Sequence, residues 1–324
     1  MNIKEHLSLP VIAAPMFLIS GPTMVTECCK NGIIGTFPAL NQRTTEGFEE
    51  WLTEIKESLA THEKTSGMPA TPYGVNLIVH RTNPRLQADL EIVIKHKVPI
   101  VITSLGAVSD VIDAVHSYGG LVFHDVINRR HAEKAVAAGA DGLILVSAGA
   151  GGHAGLLNPM AFINEIKGFY DGMILLSGAM SNGKDVASAM QMGADFAYLG
   201  TRFINTTEAK ADKGYQEMII KSGTSDIVYT AAVSGVNANF LKMSLEAAGI
   251  PKEMWNKKVK IDFGKELDAA EAEAKAWKTI WSAGQGVTSI QDVLPIKQLV
   301  RRMHLEFTEA IIEQGRLLQD FKIR

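Results

Sequence analysis

Eight short apolar runs recur from the N-terminus to about residue 203, and no other feature restricts the possible folds as tightly. They are 10–16 (PVIAAPM), 32–39 (GIIGTFPA), 73–79 (YGVNLIV), 100–106 (IVITSLG), 120–126 (GLVFHDV), 142–148 (GLILVSA), 173–179 (MILLSGA) and 196–203 (FAYLGTRF). Each ends in small or polar residues and leads into a segment of helical character, the pattern of βα units around a buried parallel sheet. Eight such units with right-handed crossovers close into a (β/α)8 TIM barrel. An open doubly wound sheet usually carries a G-x-G-x-x-G turn after its first strand, and none follows the first run here.

Amphipathic stretches of helical length fill 108–118, 129–138 and 182–192. After Gly223 the rhythm stops. The stretch 265–278 is rich in Ala, Glu and Lys, which predicts a small helical insertion or cap over 224–285 beside the barrel mouth. A last amphipathic helix, over roughly 290–318, is expected to pack back on the outside. The expected organisation is a barrel at 1–223, a helical cap at 224–285 and a closing helical segment at 286–324.

A chain of 324 residues, 46% of them hydrophobic, can bury one large core. Its formal net charge of -3 offers no broad basic field for nucleic acid or acidic lipid, which favours a small-molecule partner. The apolar stretch 7–19 is interrupted by Pro10 and Pro15 and flanked by Glu5, so it reads as a buried strand and not as a signal-peptide core. No other charge-free apolar run reaches the roughly 18 residues of a membrane span. Cys28 and Cys29 read as small apolar residues of an early helix, and with no signal peptide they suggest a reducing, cytoplasmic setting.

In a barrel, functional groups gather where strands run into the following loops. The seventh junction, Ser177-Gly178-Ala179-Met180-Ser181-Asn182-Gly183, and the eighth, around Gly200, Thr201 and Arg202, are built of small residues. Adjacent junctions of this kind expose backbone N–H groups and a helix start to a phosphate dianion. At the sixth, Gly149, Gly151 and Gly152 precede His153, so backbone can approach a planar ligand while one imidazole is offered for proton transfer. Asn76 ends the third run with a neutral amide suited to the amide edge of an isoalloxazine. Ser104 and the pair His124 and Asp125 add polar lining, alternation directing only one of that pair into the lumen. Met16 and Phe17 offer an apolar surface for a ring system, whereas Met160, Phe162 and Trp281 read as helix packing or pocket wall. The chain has no H-E-x-x-H, paired C-x-x-C, G-x-S-x-G elbow or Walker loop, which leaves a redox cofactor as the favoured chemistry.

Taken together, Ala14-Pro15-Met16, Gly74-Val75-Asn76, Gly151-Gly152-His153, Ser177-Gly178, Gly200-Thr201-Arg202 and Ala283-Gly284-Gln285 give the chain a pattern that resembles the nitronate monooxygenase (2-nitropropane dioxygenase-like) family of FMN barrels. That superfamily also holds flavin-type enoyl-acyl carrier protein reductases and quinone reductases. The resemblance implies that Ala14, Pro15, Met16 and Asn76 contact the flavin ring, that Gly151 and Gly152 flank it, and that Ser177, Gly178, Gly200 and Thr201 hold its phosphate. Ser104, Asp125 and Gln285 join this cofactor-binding set, and His153 falls on the catalytic histidine, with no metal involved. Two positions depart from the pattern: the loop reads Ala148-Gly149-Ala150 where nitronate-oxidising members carry Glu or Cys, and the fifth run ends His124-Asp125 where several carry Lys.

Three functions are therefore expected in order. The first is FMN-dependent oxidation of alkyl nitronates, or of nitroalkanes, with O2 to a carbonyl compound and nitrite. The second is NAD(P)H-dependent reduction of a quinone or enoyl thioester, and the third is a flavin- or phosphate-binding sensor without turnover.

Overall fold

The structure, a computed structural model, describes residues 3–80, 82–106, 109–233, 237–255 and 280–321. The first six strands are β1 (Val11–Ala13), β2 (Ile34–Pro38), β3 (Gly74–Ile78), β4 (Ile100–Ser104), β5 (Leu121–Val126) and β6 (Gly142–Val146). A two-residue strand, β7 (Gly152–His153), lies outside that set, and β8 (Met173–Ser177) and β9 (Phe196–Leu199) complete it. All eight predicted runs contain a strand of one parallel sheet, which closes as β1-β2-β3-β4-β5-β6-β8-β9 when β9 pairs with β1. In the eighth run the strand stops at Leu199, and after Gly200 the residues Thr201–Ile204 form a short helix.

Alternation sorts the strand residues onto two faces. Ile12, Ile34, Ile100, Ile102, Phe123, Ile144, Leu175 and Phe196 fill the lumen, while Val75, Leu77, Val101, Val122, Leu143, Leu145 and Leu176 pack outward under the helices. Both faces are dry, which is why the strands read as continuous apolar runs. The lower lumen is a packed plug, and polar side chains enter it only toward the C-terminal ends of the strands.

The closing helix, Ile296–Asp320, begins later than expected, after a 3-10 turn at Gln285–Ser289 and the N-cap Pro295. It crosses helix Gly183–Met192 so closely that a side chain at Gly183 would overlap the Met303 carbonyl. Fully buried Arg202 also points to this end of the molecule, donating from Nη2 to Asp292 Oδ1 at 2.9 Å, while Arg302 Nη1 meets the other carboxylate oxygen at 2.7 Å. The two guanidinium groups, Arg302 foremost, hold the Asp292 carboxyl below the usual range.

The described part of 224–285 differs from the helical cap read in the sequence. They open with β10 (Ile227–Thr230) and β11 (Ala238–Leu241), antiparallel, and β11 pairs on its other side with β7 in a three-stranded sheet. The segment Ile227-Val228-Tyr229-Thr230 is β-branched and aromatic, suited to a half-buried pleat. A short helix, Lys242–Ala247, follows, and the Ala/Glu/Lys-rich stretch 265–278 lies outside the described residues. Among the described residues no helix is long and apolar enough to cross a membrane.

Removing the carboxylate between the two arginines leaves the buried guanidinium without its charge partner. Asp292→Ala is expected to lower unfolding free energy by about 2 kcal/mol, and Arg302→Ala by less than about 1 kcal/mol because its side chain is solvent-exposed. Chemical denaturation of the two variants checks this, and equal losses contradict it.

Candidate active site

At the top of the lumen the apolar plug gives way to a hydrogen-bonded row on three neighbouring strands. Asn76 of β3 donates from Nδ2 to Ser104 Oγ of β4 at 2.8 Å and to the Ile102 carbonyl at 3.2 Å. Ser104 in turn donates its hydroxyl to Asp125 Oδ2 of β5. Phe123 lies in the lumen and Val122 and Val126 pack outward, so Asp125 is the member of the fifth-junction pair that faces the interior. His124 points to the helix side, buried, with Nδ1 2.7 Å from Thr103 Oγ1, and burial pushes its imidazole down to about 4.

Asp125 Oδ1 is buried with no hydrogen-bond partner, and burial drives its carboxyl up to about 6 against the opposing pull of Ser104. Tyr198 of β9, another lumen residue, lies near enough for that carboxylate to raise its phenol further.

On the opposite side of the mouth, main chain from four segments forms a small pocket lined by Gly151, Ser177, Gly178, Ser181, Gly200 and Thr201 among others. Ser147 Oγ donates to the Ser177 carbonyl at 2.6 Å, so a Cβ on Gly178, whose φ is 135°, would strike that hydroxyl. Gly200 differs: its φ is negative, and a Cβ there would meet Met16 Sδ and Ala14 Cβ only at 3.7 and 3.8 Å. The loop after β1, carrying Ala14, Pro15 and Met16, therefore flanks the end of β9. Asn41 fixes this loop by donating to the Met16 and Ser20 carbonyls at 3.0 and 2.7 Å. Thr201 Oγ1 accepts from Gly284 N at 2.9 Å and Gln285 N donates to the Gly149 carbonyl at 2.8 Å, so segment 283–285 closes the pocket.

The helix start after β8 is not available to a ligand in the way the sequence suggested. Asp185 Oδ2 accepts from the N–H groups of Ser181 and Asn182 at 2.7 and 3.2 Å, and Glu306 Oε2 accepts from Gly183 N at 2.7 Å. Ser181 Oγ, by contrast, is buried in the pocket wall without a partner. The pocket wall presents Gly178, the Ser181 hydroxyl and the turn at Gly200 and Thr201. Ser181 sat inside the predicted junction without being singled out; Tyr198 was missed although its spacing from Phe196 puts it in the lumen.

His153 stands on β7, two residues beyond Gly151, with Gly152 beside it at φ 67°. The ring keeps an accessible edge in the open mouth, while the surrounding protein walls make its charged form costly and push it down to about 4. The imidazole is neutral at neutral pH, which suits a proton acceptor. Phe162 is core, Trp281 stacks on Tyr215 with ring centroids 5.0 Å apart, and Met160 is exposed at the rim.

A closed eight-strand barrel with its polar groups and main-chain pocket at the C-terminal rim defines a (β/α)8-barrel enzyme. A sequence profile for nitronate monooxygenase matches residues 39–306. The nitronate monooxygenase of Paraburkholderia phytofirmans is 27% identical over 93% of both chains, and that of Neurospora crassa is 28% identical over 93% of this chain and 89% of its own. Among solved structures, nitroalkane oxidase from Streptomyces ansochromogenes superposes with TM-score 0.81 at 21% identity over 97% of this chain and 100% of its own. FabK from Thermotoga maritima gives 0.79 at 22% identity over 98% and 97%. The chain belongs to the nitronate monooxygenase family, a family of flavin-dependent oxidoreductases.

The buried Asp125 carboxyl ties stability to pH. Its folded pKa is raised, so the fold favours the neutral acid, and the stability it contributes is full below its ordinary range and lost as pH rises to about 6. Asp125→Asn removes that loss and is expected to gain about 1 kcal/mol near neutral pH, discounted for the partly open mouth, and almost nothing near pH 4. Thermal unfolding at the two pH values checks it; a gain confined to acid pH contradicts it.

Proposed function

We propose that this protein binds FMN and oxidises alkyl nitronates, and neutral nitroalkanes after deprotonation, with O2 to a carbonyl compound and nitrite. The observation that carries the proposal is the placing of one neutral imidazole, His153, two residues from a main-chain pocket that holds an unpartnered buried hydroxyl, Ser181 Oγ. The residues present fit a phosphorylated flavin. Bare main chain at Gly178 and Gly200 leaves room for a phosphate, the orphaned Ser181 hydroxyl can donate to it, and Asn76 meets a ring edge without adding charge.

In this reading Ser177, Gly178, Ser181, Gly200 and Thr201 hold the phosphate, Ala14, Pro15, Met16, Gly151 and Gly152 line the ring, and Gln285 closes the loop over it. Asn76, Ser104 and Asp125 face it from the lumen. When bound, FMN supplies the electron acceptor. His153 accepts the α-proton of a neutral nitroalkane, and with a preformed nitronate its remaining N–H can donate to a nitro oxygen. The neutral ring is ready at physiological pH, so the ascending limb of kcat/KM for the nitroalkane falls near its lowered pKa of about 4. The same reading takes 224–285 as a cap and 286–324 as a closing segment on a barrel of 1–223, and places the protein in the cytoplasm, where buried free thiols Cys28 and Cys29 stay reduced.

A second reading, NAD(P)H-dependent reduction of a quinone or enoyl thioester, is favoured by one feature. Leu105, Ile127, Leu156 and Met160, all after β4 to β6, are exposed at the rim, Leu156 by 70%, and suit a larger apolar substrate. Anaerobic mixing with a nitronate, NADH and NADPH in turn separates the readings by which of them bleaches the flavin.

His153→Ala is expected to keep its yellow colour and lose about a hundredfold or more in turnover of the neutral nitroalkane, with a smaller loss for the preformed nitronate; equal losses remove the base assignment. Gly200→Asp adds a carboxylate where a side chain can be accommodated, so it is expected to fold and purify colourless. A yellow, fully active Gly200→Asp protein contradicts the phosphate site.

A further inference from the structure

The loop that carries His153 is held from within by main chain, Ala148 N donating to the Leu157 carbonyl at 2.8 Å and Gly155 N to the Val146 carbonyl at 3.1 Å. Gly149, Gly151 and Gly152 leave its backbone otherwise permissive, and no bulky side chain anchors the stretch between Val146 and His153. Further order at the histidine comes from the cap. Gly152 and His153 pair with Asn239 and Ala238 of β11, and Asn239 stands across from Tyr229 of β10. Directly opposed residues of antiparallel strands share a face, so Asn239 and Tyr229 lie on one side of this sheet and the Ala238–His153 pair belongs to the other.

From behind the imidazole, both side chains reach the carbonyls that bracket it. Asn239, only 4% exposed, donates from Nδ2 to the Ala150 carbonyl at 2.6 Å. The Tyr229 hydroxyl donates to the Ala154 carbonyl at 3.0 Å. The strands that bring them are themselves anchored on both faces: Ile227 and Leu241 pack with Ile19, Ile204 and Ile219, and Val228 and Phe240 pack with Leu245 and Ile280.

We propose that Asn239 and Tyr229 are positioning residues for His153, holding its strand through two remote hydrogen bonds so that the cap takes part in setting the orientation of the imidazole. The kinetic part of this proposal rests on His153 acting as the base described above. Neither residue is placed against flavin or substrate.

The test uses the flavin-loaded full chain and two variants, Tyr229→Phe, which removes one hydroxyl from an otherwise unchanged ring, and Asn239→Ala. Amide hydrogen exchange is followed in the segment 148–156, and turnover is measured with a neutral nitroalkane and with its preformed nitronate. Exchange in that segment is expected to quicken about tenfold in each variant, the loss of one net hydrogen bond. The kcat for the nitroalkane is expected to fall about tenfold with KM little changed, and the nitronate to stay within about twofold. Unchanged exchange in 148–156 in both variants overturns the proposal, as does a loosened segment with nitroalkane turnover intact. A loosened segment with equal losses on both substrates leaves positioning standing and overturns the base assignment instead.

Discussion

Closure of the parallel sheet is the constraint from which the rest of this structure follows. Once β9 pairs with β1, that sheet has no edge left and alternate side chains of its eight strands are driven into one narrow lumen. Isoleucine, leucine and phenylalanine fill its lower layers to the point where no ligand can enter from below. Polar groups are affordable only at the C-terminal ends, where the plug stops. There Asn76, Ser104 and Asp125 satisfy one another across adjacent strands. Asp125 Oδ1, buried in that row without a partner, marks a place where the lumen still has hydrogen-bonding capacity to offer.

Opposite this row the chain takes a different solution, in which main chain replaces side chain. Segments after β6, β8 and β9 approach one another so tightly that Ser147 Oγ occupies the space a Gly178 side chain would need. Such packing excludes charge, leaving a concavity walled by backbone and hydroxyl groups, of which the Ser181 hydroxyl is buried without a partner. The neighbouring helix start is kept out of this role by Asp185 and Glu306, which satisfy its first N–H groups. On the proposed reading, a phosphate would be met by the turns and not by that helix start.

Much of this was legible in the sequence because strand and junction signals are local. The eight runs each held a strand, and the small residues at Gly151, Ser177, Gly178, Gly200 and Thr201 do meet in one pocket although the junctions are far apart in the chain. What was not legible has two physical causes. In Leu121-Val122-Phe123-His124-Asp125-Val126 both faces of the strand are buried, so hydrophobicity carries no phase and cannot say which of His124 and Asp125 turns inward. The cap differs in its described part: the helical reading leaned on the composition of 265–278, which lies outside the described residues, while Ile227-Val228-Tyr229-Thr230 carried a strand signal that only becomes meaningful when a partner edge is present.

The other edge of β11 takes up the His153 loop, and that pairing explains how a glycine-rich segment can present an ordered imidazole. Flexible backbone is needed at Gly149 and Gly151, where a Cβ would crowd Gln285 Oε1 and Thr201 Oγ1, yet the same flexibility would let an imidazole wander. Addition of β7 to the edge of β11 resolves the conflict, since ladder hydrogen bonds fix the backbone without requiring side-chain volume near the ring. Close approach to the pocket and order at the histidine are thus supplied by different parts of the chain. Substitutions in the cap that loosen β11 act on His153 before they act on the barrel, because the barrel sheet closes without any contribution from β10 or β11.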